Sequence, residues 1–327
     1  MRLAIDEAWR YQCVTYPNPA VGALVARRGE ILSIEAHHKA GHSHAEVLAF
    51  ASAYEKMSGR RLPVDREESV KVHDFLLSLP DGFFSDCELF VTLEPCAHDG
   101  RTPSCAGLIE RLFPKRVVVA MEDPVPEHAG GLKRLAEAGI EITPWVSADL
   151  ARDLIEPFMI WRERAFVLFK LAQTSNGRIG GGYLSCADSL RHTHMLRSVV
   201  DRMVIGGNTV RIDRPRLDAR HCGGEAPDLT IFSSRNDFDG DIPLFDIADR
   251  EVDIVDDLSP LLNIPGFLLV EGGEGMLRAL SDDIDWFLIY QTPKLSTNRL
   301  SYNIDKKIEF LHTERSGADL MIWSRFG

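Results

Sequence analysis

No run of Lys and Arg stands out in these 327 residues, where 37 Lys and Arg face 49 Asp and Glu for a net charge of −12. The electrostatic footprint of a duplex-binding or tRNA-binding protein is therefore missing. A small-molecule substrate and no nucleic-acid partner are expected, with any phosphate met by a few local Arg or Lys side chains. No apolar stretch approaches transmembrane length, and Asp6 and Glu7 interrupt the start of the chain where a signal peptide needs an apolar core. This predicts a cytoplasmic protein with no membrane partner. Cysteine is sparse: Cys13, Cys87, Cys96, Cys105, Cys186 and Cys222 are scattered, which favours metal binding or burial over disulfides. The chain also lacks internal repeats, low-complexity tracts and the G-x-G-x-x-G fingerprint.

What is present is an ordinary compact composition, 45% hydrophobic and 26% charged, in a chain long enough for two cores. Ala4, Ile5, Ala8 and Trp9 recur at helical spacing, and Val21 to Ala26 and Glu30 to Ala36 read as strands around Arg27-Arg28-Gly29. A helix from His44 to about Met57 follows. Residues 58–86 mix charge, Pro and Gly and read as an insertion with one short amphipathic piece, Val70 to Leu79. Strands at Glu88 to Leu93, Val117 to Met121 and Ile140 to Trp145 then alternate with helices, implying a layered α/β domain over 1–146. After a linker helix near Ala148 to Arg164, the strand-helix rhythm restarts at Phe166, so 147–327 reads as a second α/β domain.

His44-Ala45-Glu46 and the stretch from Pro95 to Cys105 carry the chemistry. One imidazole and two thiols can fill three corners of a tetrahedral Zn²⁺ site and leave the fourth for water, while a nearby carboxylate moves protons. Residues two apart diverge on a regular helix, so His44 and Glu46 share a site only at a helix's first turn, which Ser43 is placed to cap. Cys96 follows a strand, and Cys105 opens the next helix. Structural zinc sites usually have four protein ligands, and a fourth is not obvious here. Zn²⁺ is thus the predicted metal, held by His44, Cys96 and Cys105, with Glu46 as general acid and base.

A Cys pair separated by eight residues, with Gly100-Arg101-Thr102-Pro103 between, departs from the two-residue spacing of the generic deaminase signature. It resembles the RibD family, the bacterial bifunctional riboflavin-biosynthesis proteins. Pro17-Asn18-Pro19-Ala20-Val21-Gly22, His37 before Ala40-Gly41, and Thr92-Leu93-Glu94-Pro95-Cys96 extend the likeness. The resemblance implies a cytidine-deaminase-like three-layer N-terminal domain and substrate contacts at Asn18, His37, Arg101 and Asp123. An amide and an acid suit the polar edges of a pyrimidine, and Arg101 suits a ribose phosphate. Asn18 between prolines and Asp123 before Pro124 also read as turn residues.

In the second half, Gly206 to Arg220 follows an apolar strand, and Glu271-Gly272-Gly273-Glu274-Gly275 lies between a strand and a helix, as backbone amides cradling a pyrophosphate would. In this order they look like the family's reductase half, which implies a dihydrofolate-reductase-like C-terminal domain and NADPH. The likeness places Thr209, Asp213, Ser234, Gly273, Glu274 and Gly275 on the cofactor and Arg197, Leu217, Arg220 and Glu271 on the substrate. It implies deamination of a pyrimidine ribotide followed by reduction of its ribosyl group, in a homo-oligomer. The chain departs from the family at Asn176, Gly181, Gly182, Tyr183, Ser296 and Thr297. The rival is another zinc nucleobase or nucleoside deaminase fused to an unrelated or weakened second domain.

Overall fold

The structure, a computed structural model, describes every residue of 1–327 except Asp99, Arg101, Gly181 and Tyr183. It divides into two compact units, Met1–Met159 and Ile160–Gly327. No helix among the described residues is long and apolar enough to cross a membrane.

The first unit runs α1 (Arg2–Trp9), β1 (Gly22–Arg27), β2 (Glu30–Ala36), α2 (Ala45–Ser58), α3 (Ser69–Leu77), β3 (Cys87–Val91), α4 (Cys105–Leu112), β4 (Arg116–Val119), α5 (Gly131–Glu137), β5 (Glu141–Thr143) and most of α6 (Ala148–Glu163). Its sheet has the order β2-β1-β3-β4-β5, antiparallel at β2-β1-β3 and parallel from β3 to β5. The chain thus leaves β3 and β4 at the same sheet end, where the Cys96 and Asp123 loops emerge side by side. Alanines along α2 let it lie close on this sheet, with Val47, Phe50, Ala51, Ala53 and Tyr54 buried, and Gly59 in a left-handed cap ends it.

One boundary differs from the sequence-based expectation, and the segment read as an insertion, 58–86, packs into the core: Val72, Leu76 and Phe84 are fully buried with α2 and β3, and Phe84 meets Phe50 edge to face. Truncating Leu76 or Phe84 to Ala would cost about 2–5 kcal/mol. Helix α6, read as a linker beyond residue 146, belongs mostly to the first unit. Its Ala151, Leu154, Ile155 and Phe158 are buried, and the Gln12 amide donates to the carbonyls of Asp153 and Leu154, so the division falls after Met159.

The second unit continues with β6 (Ala165–Thr174), α7 (Ala187–Arg197), β7 (Arg202–Gly206), α8 (Gly207–Asp213), β8 (Asp228–Phe232), β9 (Val252–Val255), α9 (Ser259–Leu262), β10 (Gly266–Glu271), α10 (Glu274–Ala279), β11 (Trp286–Thr292), β12 (Ile308–Ser316) and β13 (Asp319–Phe326). The sheet order is β12-β13-β11-β6-β10-β7-β8-β9, parallel from β11 to β9 with an antiparallel hairpin at one edge. Phe169, Val270, Leu277, Phe287 and Ile322 form part of the core on one face.

Candidate functional site

His44 is the N-cap of α2 with an extended backbone, and Glu46 sits one turn-step inside, so the helix start turns both side chains toward one cavity. Ser43 does not cap this helix: its hydroxyl donates to the carbonyl of Arg66 instead. Cys96 follows β3, and Cys105 is the first residue of α4. The Ser104 hydroxyl ties them together, accepting from Gly107 N–H (3.2 Å) and donating to the Cys96 carbonyl (2.9 Å).

The Nδ1 of His44 lies 3.3 Å from Cys105 Sγ and 3.9 Å from Cys96 Sγ, and the three donor atoms all fall within 4.8 Å of one another. Zn–S and Zn–N bonds of ordinary length give tetrahedral edges of about 3.5–3.8 Å, so this donor set fits zinc. The hydrogen bond with Cys105, with His44 adding to it, pushes the Cys96 thiol down to about 4, while the same bond and burial hold the Cys105 thiol well above its usual value. One sulfur is therefore a ready thiolate, and a bound dication would draw the proton from the other. Burial pushes the Glu46 carboxyl up, toward the range in which a carboxyl both takes and gives protons.

The cavity above the donors, about 240 Å³, is lined by Asn18, His37, Glu46, Cys96 and Asp123 among others. Burial pushes His37 down to about 3, so its ring is neutral. Its Nδ1 faces the Ser43 carbonyl at 3.1 Å and must donate, which leaves Nε2 to accept from the Asn18 amide, also at 3.1 Å. Asn18 is thereby oriented rather than merely turned. Asp123 accepts from Val125 N–H, and burial raises its carboxyl. Its backbone N–H goes to Glu94, whose buried carboxylate also takes the N–H groups of Gly130 and Leu132. Arg101 lies outside the described residues.

In the second unit, Lys170 on β6 and Glu271 on β10 are register partners on adjacent strands, with Nζ 3.6 Å from Oε2. Arg197, ending α7, donates to Glu271 from Nε (3.1 Å) and from a terminal nitrogen (2.7 Å). Although burial opposes its charge, Arg197 and Lys170 hold the Glu271 carboxyl down at about 2. Arg197 also reaches the Asp218 carbonyl, and the Asp218 carboxylate takes Arg220 at 2.7 Å. Leu217 is buried with a left-handed backbone.

Thr209 and Asp213 lie on α8 after β7, Ser234 follows β8, and Gly273 to Gly275 follow β10. These are the carboxyl ends of three adjoining parallel strands, the usual place for a dinucleotide. A Cβ on Gly273 or Gly275 would meet nothing within 4 Å, so a ligand can approach that backbone. Gly206, Gly207 and Gly272 differ from their expected role. A Cβ there would strike Met276 or Ser233 at 2.6 to 2.7 Å, so they are glycines of helix-strand packing. The Glu274 carboxylate is engaged by Arg278 and Asn303.

Residues 1–121 match the family described as the cytidine and deoxycytidylate deaminase zinc-binding region. The riboflavin biosynthesis protein RibD of Aquifex aeolicus is 36% identical over 239 residues, 71% of this chain but 60% of its own length. The RibD of Corynebacterium ammoniagenes is 29% identical over 314 residues, covering 90% of this chain and 85% of that one. A crystal structure titled as a diaminohydroxyphosphoribosylaminopyrimidine deaminase/5-amino-6-(5-phosphoribosylamino)uracil reductase from Thermotoga maritima matches with a TM-score of 0.67. It is 25% identical, and the match covers 100% of this chain and 97% of that one. The chain belongs to the RibD family.

Because the match with a RibD-type structure runs the whole length, a second domain unrelated to the family is not favoured. Two departures from the RibD pattern meet in space. Asn176 accepts from Ser296 N–H (3.1 Å) and donates to the Ser296 carbonyl (2.9 Å), a two-way bridge that needs an amide. Gly181 and Tyr183 lie outside the described residues. Sequence reading passed over Thr102, whose hydroxyl sits 3.0 Å from His44 Nε2, and Glu94 as the tie between the Cys96 and Asp123 loops. Lys170 is a further such residue, since a lysine inside an otherwise apolar strand is itself a signal.

Proposed function

We propose that this chain is a bifunctional enzyme of riboflavin synthesis. The first unit would hydrolytically deaminate 2,5-diamino-6-(5-phosphoribosylamino)pyrimidin-4(3H)-one, and the second would reduce the ribosyl group of 5-amino-6-(5-phosphoribosylamino)uracil to ribityl with NADPH. The observation that carries the reading is the convergence of His44, Cys96 and Cys105 on one metal-sized space, with Glu46 in the same buried cavity.

His44, Cys96 and Cys105 would hold zinc, which when bound would supply an activated water. Glu46 would take one proton from the attacking water and hand it to the ring nitrogen as the C–O bond forms, then take the second from the new hydroxyl and hand it to the amine, so that the C–N bond breaks and ammonia leaves. Asn18, held by neutral His37, and Asp123 present a fixed amide and acid to the pyrimidine edge. Arg101 is assigned to the phosphate by family likeness.

When bound in the second unit, NADPH would supply the hydride that reduces the ribosyl group. Thr209, Asp213, Ser234 and Gly273 to Gly275 would hold the cofactor, and Arg197, Leu217, Arg220 and Glu271 the substrate. Lys170 and Arg197 outnumber Glu271 in the buried cluster, so the site favours an anionic guest. A cytoplasmic homo-oligomer goes with this reading, and sedimentation of the full chain checks the assembly.

Incubation with the diaminopyrimidine ribotide, with and without NADPH, separates the two steps by product mass. The deaminated ribotide is expected without NADPH and the ribityl compound with it. Ammonia release from cytidine or guanine, but not from the ribotide, would overturn the assignment.

A further inference from the structure

The eight residues between Cys96 and Cys105 are more than two thiols need in order to share a metal. The loop is built. Gly100 N–H donates to the Thr102 carbonyl, Pro103 restricts the backbone of Thr102, and Ser104 closes the end by bonding the Cys96 carbonyl and starting α4. The outcome is one partly buried contact: the Thr102 hydroxyl lies 3.0 Å from Nε2 of His44, on the far side of the ring from the two sulfurs.

Resting on the zinc reading above, we propose that Thr102 is a positioning residue for the metal. Its oxygen accepts Nε2–H of His44, fixes the ring's rotation and tautomer, and so keeps the Nδ1 lone pair aimed between Cys96 and Cys105. The long loop is what delivers this hydroxyl. A ligand imidazole without such a partner can rotate, or carry its proton on the nitrogen that should bind metal, and loss of such partners weakens metal sites about 10- to 100-fold. Thr102 touches no reacting atom in this scheme, so its effect is read in metal binding itself.

The test is competition for zinc between the full-length protein and a chromophoric chelator, using Thr102→Val, Thr102→Ala and Thr102→Ser, with thermal melts of each. Val and Ala delete the hydroxyl in two sizes, so a folding failure of one leaves the other to report. Zinc affinity is expected to fall about 10- to 100-fold in the Val and Ala variants and to stay within about threefold of the unsubstituted protein in the Ser variant. Val and Ala variants that hold zinc like the unsubstituted protein would overturn the inference while leaving the zinc site standing. So would a Ser variant as weak as Val. An unsubstituted protein that takes up no zinc would instead overturn the metal reading, and this inference with it.

Discussion

The two units organise their reactive groups by different physics. In the first, soft or uncharged donors stand at a helix start and along one loop, with backbone groups and hydroxyls fixing their angles, and a metal would complete them. In the second, Lys170, Arg197 and Glu271 fix one another by mutual charge across two strands and a helix, with order built in before any ligand arrives. Removing metal should therefore disable one unit without touching the other, whereas removing a single charge should unsettle the second.

The sharpest way to break that contrast is Cys105→Ser. Zinc content by metal analysis should fall and deamination of the ribotide should cease, while NADPH-dependent reduction of the already deaminated ribotide persists. Loss of both activities would contradict the separation. Glu271→Ala should do the converse, leaving two buried cations without their acid, at a cost of about 3–5 kcal/mol in denaturant unfolding with zinc content unchanged.

A smaller effect concerns acid. Burial pushes His192 down to about 4 from 6.5, with its Nδ1 2.6 Å from the Tyr290 hydroxyl. Between those values the unfolded chain binds a proton that the folded one refuses, so stability should fall as pH drops from 6.5 toward 4, by at most about 3 kcal/mol. Unfolding free energies across that window should show the slope, and His192→Gln should lessen it, with His37 keeping a share of it. The smallest expected change is Asn176→Asp, which removes the donor to the exposed Ser296 carbonyl and should cost about 0.5–1 kcal/mol in the same assay.

The parts of the fold legible in the sequence are those with local grammar. The α2 start at His44, the β1-β2 pair and the β7 strand all sit within a residue or two of where periodicity and turns put them. Trp286 to Tyr290 is a continuous apolar run, which periodicity does not distinguish from a buried helical segment, and β12 is a half-exposed edge whose pattern is weak. The 58–86 segment hid its role because the core residues Val72, Leu76 and Phe84 are diluted among charges. At the site, His44, Glu46, Cys96 and Cys105 were readable from residue type and spacing. Thr102 was not, because a hydroxyl earns meaning only from the nitrogen it meets across 58 residues. Gly206, Gly207 and Gly272 taught the reverse lesson: glycine after a strand marks close approach, and here the neighbours are Met276 and Ser233.

In the proposed deamination, Glu46 moves the protons at a zinc centre made by His44, Cys96 and Cys105. Ammonia release from the diaminopyrimidine ribotide by Glu46→Gln, compared at equal zinc content with the unsubstituted chain, tests it most directly. Turnover lower by about 10²–10⁴ with zinc retained is the predicted result. Undiminished turnover by the zinc-loaded variant would contradict it.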